Sequence, residues 1–296
     1  MFLINSCNLI GIKKPKPDYF SNNFDTSLTS FYDKFTGNRL VPTKWGHYTS
    51  AGFPDIKPGY GDESYHVENV SVRNGKLVIS LKKENRFGDA HFSSGRIVTY
   101  NHEGRANSLI GDGFAQTYGR FEAKIRFTHV PRGLWPAFWM KPTRWNYGWF
   151  PLSGEIDIME INPSVKNSNT PALHFQREDN THGVLYHWQT LEGGRSLTDW
   201  NVFGVQWTPD EIIFLLNGKV NGRFTKEEWN AFYGSSTHSP FDRDFYMTLN
   251  LGMGGDWDMY EELPDSAFPI EMHVDWVRVY TLEMVLSDRF PFPIKE

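Results

Sequence analysis

The chain has 296 residues, a formal net charge of −5, 39% hydrophobic residues and 16% aromatic residues. That length buries a core without disulfide or metal staples, and that hydrophobic content excludes a disordered chain. With no basic block, backbone binding to duplex DNA or RNA is excluded as the main task, and no apolar run approaches the roughly 20 residues of a membrane-spanning helix.

Residues 1–12 are mildly apolar, lack a basic start and are interrupted by Asn5 and Asn8, so they do not read as a signal peptide. The export route and the compartment are not legible. Cys7 is the single cysteine, so no intramolecular disulfide forms. Residues 1–35 read as an arm lying over the domain, 36–282 as one domain, and 283–296 as a tail with Pro291 and Pro293.

Strand patterns then recur. Asn74-Gly75 divides two alternating runs in 70–81, the signature of a type I′ hairpin. In 118–127, Phe121, Ala123, Ile125 and Phe127 share one face while Arg120, Glu122, Lys124 and Arg126 share the other, which predicts a half-buried strand. Further strands are expected at 155–161, 171–176, 202–208, 211–217, 245–251 and 272–280, with a turn at Asn217-Gly218. One helix is expected at 226–233, where Thr225 and Glu228 form a capping box. Many strands with almost no helix predict an all-β sandwich or barrel.

The eleven Trp residues exceed what a core needs, because each buried indole N–H wants a partner. Half-exposed flat rings suit stacking on sugars.

The sharpest feature is Gly154-Glu-Ile-Asp-Ile-Met-Glu-Ile161. In a regular strand Glu155 and Asp157 point to one face and Glu160 to the other. One bulge, with Met159 as the expected extra residue, brings all three carboxylates to the same face. Three adjacent acids raise one another's pKa, a cost that a purely structural strand avoids. Paired carboxyls with split pKa values are what a glycosidase needs: one attacks the anomeric carbon, the other protonates the leaving oxygen.

This strand resembles the active-site strand of glycoside hydrolase family sixteen, Glu-x-Asp-x-x-Glu, in its bulged, laminarinase-like branch. The resemblance extends to Gly133-Leu-Trp-Pro-Ala-Phe-Trp-Met140, Tyr147-Gly-Trp-Phe-Pro-Leu-Ser-Gly154, Ser94-Gly-Arg-Ile97, Tyr118-Gly-Arg-Phe-Glu-Ala123, Val205-Gln-Trp-Thr-Pro-Asp210, Leu249-Asn-Leu251 with Gly254-Gly255, and Val274-Asp-Trp-Val-Arg-Val-Tyr280. It implies a β-jelly roll of two stacked antiparallel sheets with a concave substrate cleft. It makes Glu155 the nucleophile, Glu160 the acid/base and Asp157 the helper. It also implies sugar platforms at Trp135, Trp139 and Trp149, a His174 beside the acid/base, and further cleft residues at Arg96, Asn250 and Trp257.

The same resemblance implies an endo-acting retaining hydrolase of a β-linked polysaccharide, with a β-1,3-glucan as leading substrate and another β-linked polymer, a galactan or exopolysaccharide, as the alternative. The Ile161-Asn-Pro-Ser164 run departs from the branch beside Glu160 and bears on that choice. Non-catalytic relatives lose a catalytic Glu, and transglycosylases lack the bulge; this chain keeps both features. The expected partner is the polysaccharide alone, acted on by a monomer, with no nucleic acid and no membrane. No cofactor is expected; a structural calcium in some members would fall at Asp275, for which pairing with Arg278 is the alternative.

Overall fold

The computed structural model describes residues 19–20, 25–49, 61–86, 90–101, 106–107, 113–161, 165, 167–233, 239–254, 262–292 and 294. Cys7 and the rest of 1–12, Asn162–Ser164, Gly255 and Trp257 lie outside the described residues.

Two large antiparallel sheets stack into a β-jelly-roll sandwich. One runs in the order Lys219–Thr225, Glu211–Leu216, Asn201–Trp207, Gly119–Phe127, Ile270–Tyr280, Lys76–Leu81, Val70–Arg73, with Phe31–Asp33 also on Ile270–Tyr280. The other runs His182–Tyr186, Ala172–Gln176, Glu155–Glu160, Leu134–Pro142, Phe245–Met253, Arg96–Val98, Gly46–Tyr48, Ala106–Asn107. Their facing sides form one continuous core. Phe121, Ile125, Phe203, Val205 and Phe214 come from the first sheet, and Phe138, Met140, Ile156, Leu249 and Leu251 from the second. The alternation of each strand decides which side chains enter this layer and which face outward.

The local signals act as their chemistry dictates. Asn74 and Gly75 both take positive φ, as do Asn217 and Gly218, which is what type I′ turns require. The helix Lys226–Tyr233 begins at the capping box: Thr225 N donates to Glu228 Oε2 over 2.7 Å, and Trp229 is buried beneath.

The strand Gly119–Phe127 corrects the expectation of a half-buried element. Arg120 and Glu122 are fully buried and Lys124 nearly so. Arg120 Nε and Arg278 Nε donate to the two oxygens of Glu122 over 2.7 and 2.6 Å. Tyr19 donates its hydroxyl to Glu122, the carbonyl of Phe292 accepts from Arg120, and the carbonyl of Phe20 accepts from Lys124. Residues far apart in sequence thus roof the polar face. Burial opposes ionisation of Glu122, but the two guanidiniums outweigh it and hold its pKa down at about 2.

Asp275 is an extra residue in its strand, opposite no partner between the Val274 and Trp276 pairings. Lys76 Nζ lies 2.7 Å from one of its oxygens and Lys124 Nζ 2.9 Å from the other. Two ammonium groups on one carboxylate repel a divalent cation, so these residues do not fit calcium. Arg278 pairs with Glu122 and leaves Asp275 to the lysines.

Candidate active site

Glu155–Glu160 lies in the second sheet between Leu134–Pro142 and Ala172–Gln176. Asp157 stands opposite Trp139, Met159 opposite Phe138 and Glu160 opposite Ala137, so the register shifts by one residue. The residue left without a partner is Ile158; Met159, the expected extra residue, keeps one. The shift has the required effect: Ile156, Ile158 and Met159 are buried in the core while Glu155, Asp157 and Glu160 line one cleft of about 380 Å³.

The neighbouring strand supplies the cleft wall. Trp135, Ala137, Trp139 and Lys141 alternate along one face and all line the cleft. Trp135 Nε1 donates to Glu160 Oε1 over 2.8 Å. Trp139 Nε1 donates to Asn250 Oδ1 over 2.7 Å. The Arg96 guanidinium lies 4.8 Å from the Trp139 ring centre and 4.3 Å from that of Tyr48. Lys141 Nζ is 3.3 Å from Glu155 Oε2 and 4.7 Å from the Trp139 ring centre.

On the other side, His174 stands opposite Glu155 in the register, and its Nε2 lies 2.9 Å from Asp157 Oδ2. Its Nδ1 is 2.8 Å from Nε2 of His182, whose ring stacks on it.

Electrostatics split these groups. Burial pushes Asp157 up to about 6, reinforced by the Glu155 charge and opposed by His174. Burial and the Asp157 charge push Glu160 well above the usual carboxylate range, while the Trp135 hydrogen bond opposes the rise. Burial lowers the His174 pKa, but Asp157 outweighs it and carries the imidazole to about 9. A cationic histidine therefore faces a carboxyl pair, Asp157 and Glu160, that retains a proton at mildly acidic pH.

Glu155, Asp157 and His174 also bring one donor atom each to within 4.8 Å of one another, a possible metal-ligand set. Within this set Lys141 pairs with Glu155 and His174 with Asp157.

The structure therefore brings Glu155, Asp157, Glu160, Trp135, Trp139, Arg96 and Asn250 together in one cleft, with His174 against it. Trp149 stands outside the lining; it is 62% exposed and packs on Trp145. Among the lining residues that escaped sequence reasoning, three bring polar side chains: Lys141, Glu63 and Tyr65. Lys141 continues the Trp135–Trp139 alternation by one step and could have been found that way. Glu63 and Tyr65 come from the short strand Glu63–Tyr65, where no periodicity shows. Tyr65 donates to Glu63 Oε1 over 2.7 Å, and Met253 N donates to Glu63 Oε2 over 3.0 Å. Burial pushes Glu63 up to about 7.

Residues 61–278 match the family model for glycosyl hydrolases family 16. The chain is 33% identical over 255 residues to the β-glucanase of Rhodothermus marinus, across 81% of this chain and 79% of that protein. It is 31% identical over 268 residues to glucan endo-1,3-β-glucosidase A1 of Niallia circulans, spanning 84% of this chain but 37% of that longer protein. Its fold superposes on the catalytic domain of an endo-1,3-β-glucanase (laminarinase) from Thermotoga petrophila RKU-1 with a TM-score of 0.71 and 27% identity, covering 85% of this chain and 96% of that one. With the acidic strand, the cleft and the sandwich all in agreement, the chain belongs to glycosyl hydrolase family 16.

Proposed function

We propose that this glycoside hydrolase cleaves β-1,3-glucan internally and with retention of anomeric configuration. The observation that carries the reading is the bulged strand, which aims Glu155, Asp157 and Glu160 into one cleft walled by Trp135 and Trp139. Glu155 attacks the anomeric carbon of the sugar bound over it. Glu160, kept protonated by burial and by the neighbouring carboxylate, delivers its proton to the leaving oxygen. The covalent glycosyl-enzyme is then opened by water, from which Glu160 removes the proton. Asp157 lies between the two in sequence and is charge-paired with His174, so it is placed to hold a proton in exchange with Glu160 and to keep Glu155 oriented.

The glucan is favoured because the relatives above are named for glucan cleavage and because the cleft offers rings more than free cations. Lys141 is engaged by Glu155, and Arg96 lies over Trp139, Tyr48 and Tyr65. A sulfated polymer would call for cations aimed at each sulfate.

A panel of polysaccharides read by reducing-end release and product sizing tests the proposal. Laminarin or curdlan yielding a ladder of oligosaccharides, with viscosity falling ahead of reducing ends, is the expected result. Activity confined to a galactan or an acidic exopolysaccharide would overturn the substrate and leave the fold and the triad standing.

A further inference from the structure

The acidic strand lies only two strands in from one edge of its sheet, the edge formed by His182–Tyr186. Two inter-strand spacings amount to roughly 10 Å, so a polymer crossing the sheet on the His174 side soon reaches that edge. Tyr186 stands there. It is opposite Ala172, which is opposite Asp157, so all three share the cleft face. The alternate residues Leu173 and Leu185 pack toward the core on the other face.

Beyond the strand end at Tyr186 one further backbone pairing follows. His187 N donates to the carbonyl of Pro171 over 3.2 Å, extending the ladder. A Cβ at Gly222, in the other sheet, would meet His187 Cβ at 3.0 Å, so this exposed residue lies beside that strand. Tyr186 and Trp188 flank it and are 61% and 57% exposed. Two large rings left in water, two residues apart at the sheet edge beyond the triad, form an exposed aromatic pair outside the core. Between Tyr186 and Asp157 in the register stands only Ala172, whose small side chain is buried between them.

We propose that Tyr186 and Trp188 form a stacking platform for the sugars of the glucan chain that extend past the triad on the His174 side. The inference rests on the glucan-cleaving reading above and adds a subsite region to it. A flat ring with a polar tip matches a pyranose, whose axial C–H faces are apolar and whose rim is hydroxylated. Tyr and Trp offer such a surface at low entropic cost, having only two side-chain torsions each. The ligand is committed: a neutral β-linked glucan, long enough to reach from the cut to the edge.

The test compares the full chain with Tyr186→Ala, Trp188→Ala and the double variant on laminarin and on laminari-oligosaccharides of increasing length, with Tyr186→Phe and Trp188→Phe as conservative controls. Circular dichroism melts confirm that each variant folds, as expected for exposed positions. The double Ala variant should show KM for laminarin raised about tenfold with kcat within twofold. The penalty should grow with oligosaccharide length, and products should shift in size, while the Phe variants stay close to the parent. A parent that cleaves laminarin while the double variant keeps the same KM and products at every length overturns the platform alone. A parent that neither cleaves nor binds laminarin overturns the glucan reading and the platform with it.

Discussion

Trp135 donates its indole N–H to Glu160 Oε1 over 2.8 Å, so the ring that walls the cleft also holds the residue assigned as acid/base. A hydrogen bond to the carboxylate favours its charged form and opposes the upward pull of burial. Trp135→Phe keeps an aromatic wall and removes the donor. The pKa of Glu160 then rises further, and the alkaline limb of the kcat/KM profile moves to higher pH. The rate at the optimum falls by about tenfold or more as the carboxyl loses its fixed orientation. A pH–rate profile with an unmoved alkaline limb would contradict the assignment.

Glu155→Gln and Glu160→Gln should each cost at least roughly 10²–10⁴-fold in kcat, with the far-ultraviolet spectrum unchanged. Early-time NMR of the parent reaction should show the β-anomer first. Appearance of the α-anomer first would point to a single displacement with water as nucleophile.

Asp157→Asn removes the charge that helps hold Glu160 above the carboxylate range. The alkaline limb should therefore move to lower pH, the opposite direction from Trp135→Phe. His174 loses the partner that raises it, so its titration, followed by NMR of the ring protons, should fall from about 9 toward the ordinary histidine range. Limbs moving in the same direction in both variants would rule out the proton-sharing scheme.

Glu160 and Glu63 also carry a stability signature. The folded-state pKa of each is raised, to about 7 for Glu63. The folded state thus binds protons more tightly than the unfolded chain, and each group's contribution to stability falls as pH rises from the ordinary carboxylate value through the raised one. Glu160→Gln is neutral at every pH and keeps an oxygen for the Trp135 N–H. Relative to the parent it should gain stability progressively as pH rises above the ordinary carboxylate range. Glu63→Gln should flatten the same window near pH 7, though the Met253 amide loses one of its acceptor choices. Thermal melts at a series of pH values measure both, and parallel curves for parent and variants would refute the linkage.

The sandwich was legible because alternation and turn chemistry are local: Asn74-Gly75, Asn217-Gly218 and the Thr225–Glu228 box each act within a few residues. The need for a bulge was legible from the spacing of Glu155, Asp157 and Glu160, but not which residue lacks a partner. Ile158 and Met159 are both apolar and both buried, and only the pairing with Phe138 separates them. Residues set by distant partners were hidden. The outward face of Gly119–Phe127 reads as solvated in sequence, yet Tyr19 and the Phe292 carbonyl cover it. Asp275 gives no hint that Lys76 and Lys124, far off in sequence, share it. Glu63 joins the cleft through Tyr65 and Met253, contacts that no motif announces.

The roof over Glu122 has a practical consequence for anyone shortening the chain. The family-matched stretch, 61–278, holds every cleft residue named here, but Tyr19 and Phe292 lie outside it. A fragment trimmed to that stretch keeps the cleft carboxyls Glu155, Asp157 and Glu160 and uncovers the Arg120–Glu122–Arg278 triad on the opposite sheet. It also gives up the strand Phe31–Asp33 from the edge of Ile270–Tyr280. Tyr19, Phe31–Asp33 and Phe292 act as a buckle behind the cleft, so a fragment that retains this roof is longer than one that spans the cleft alone.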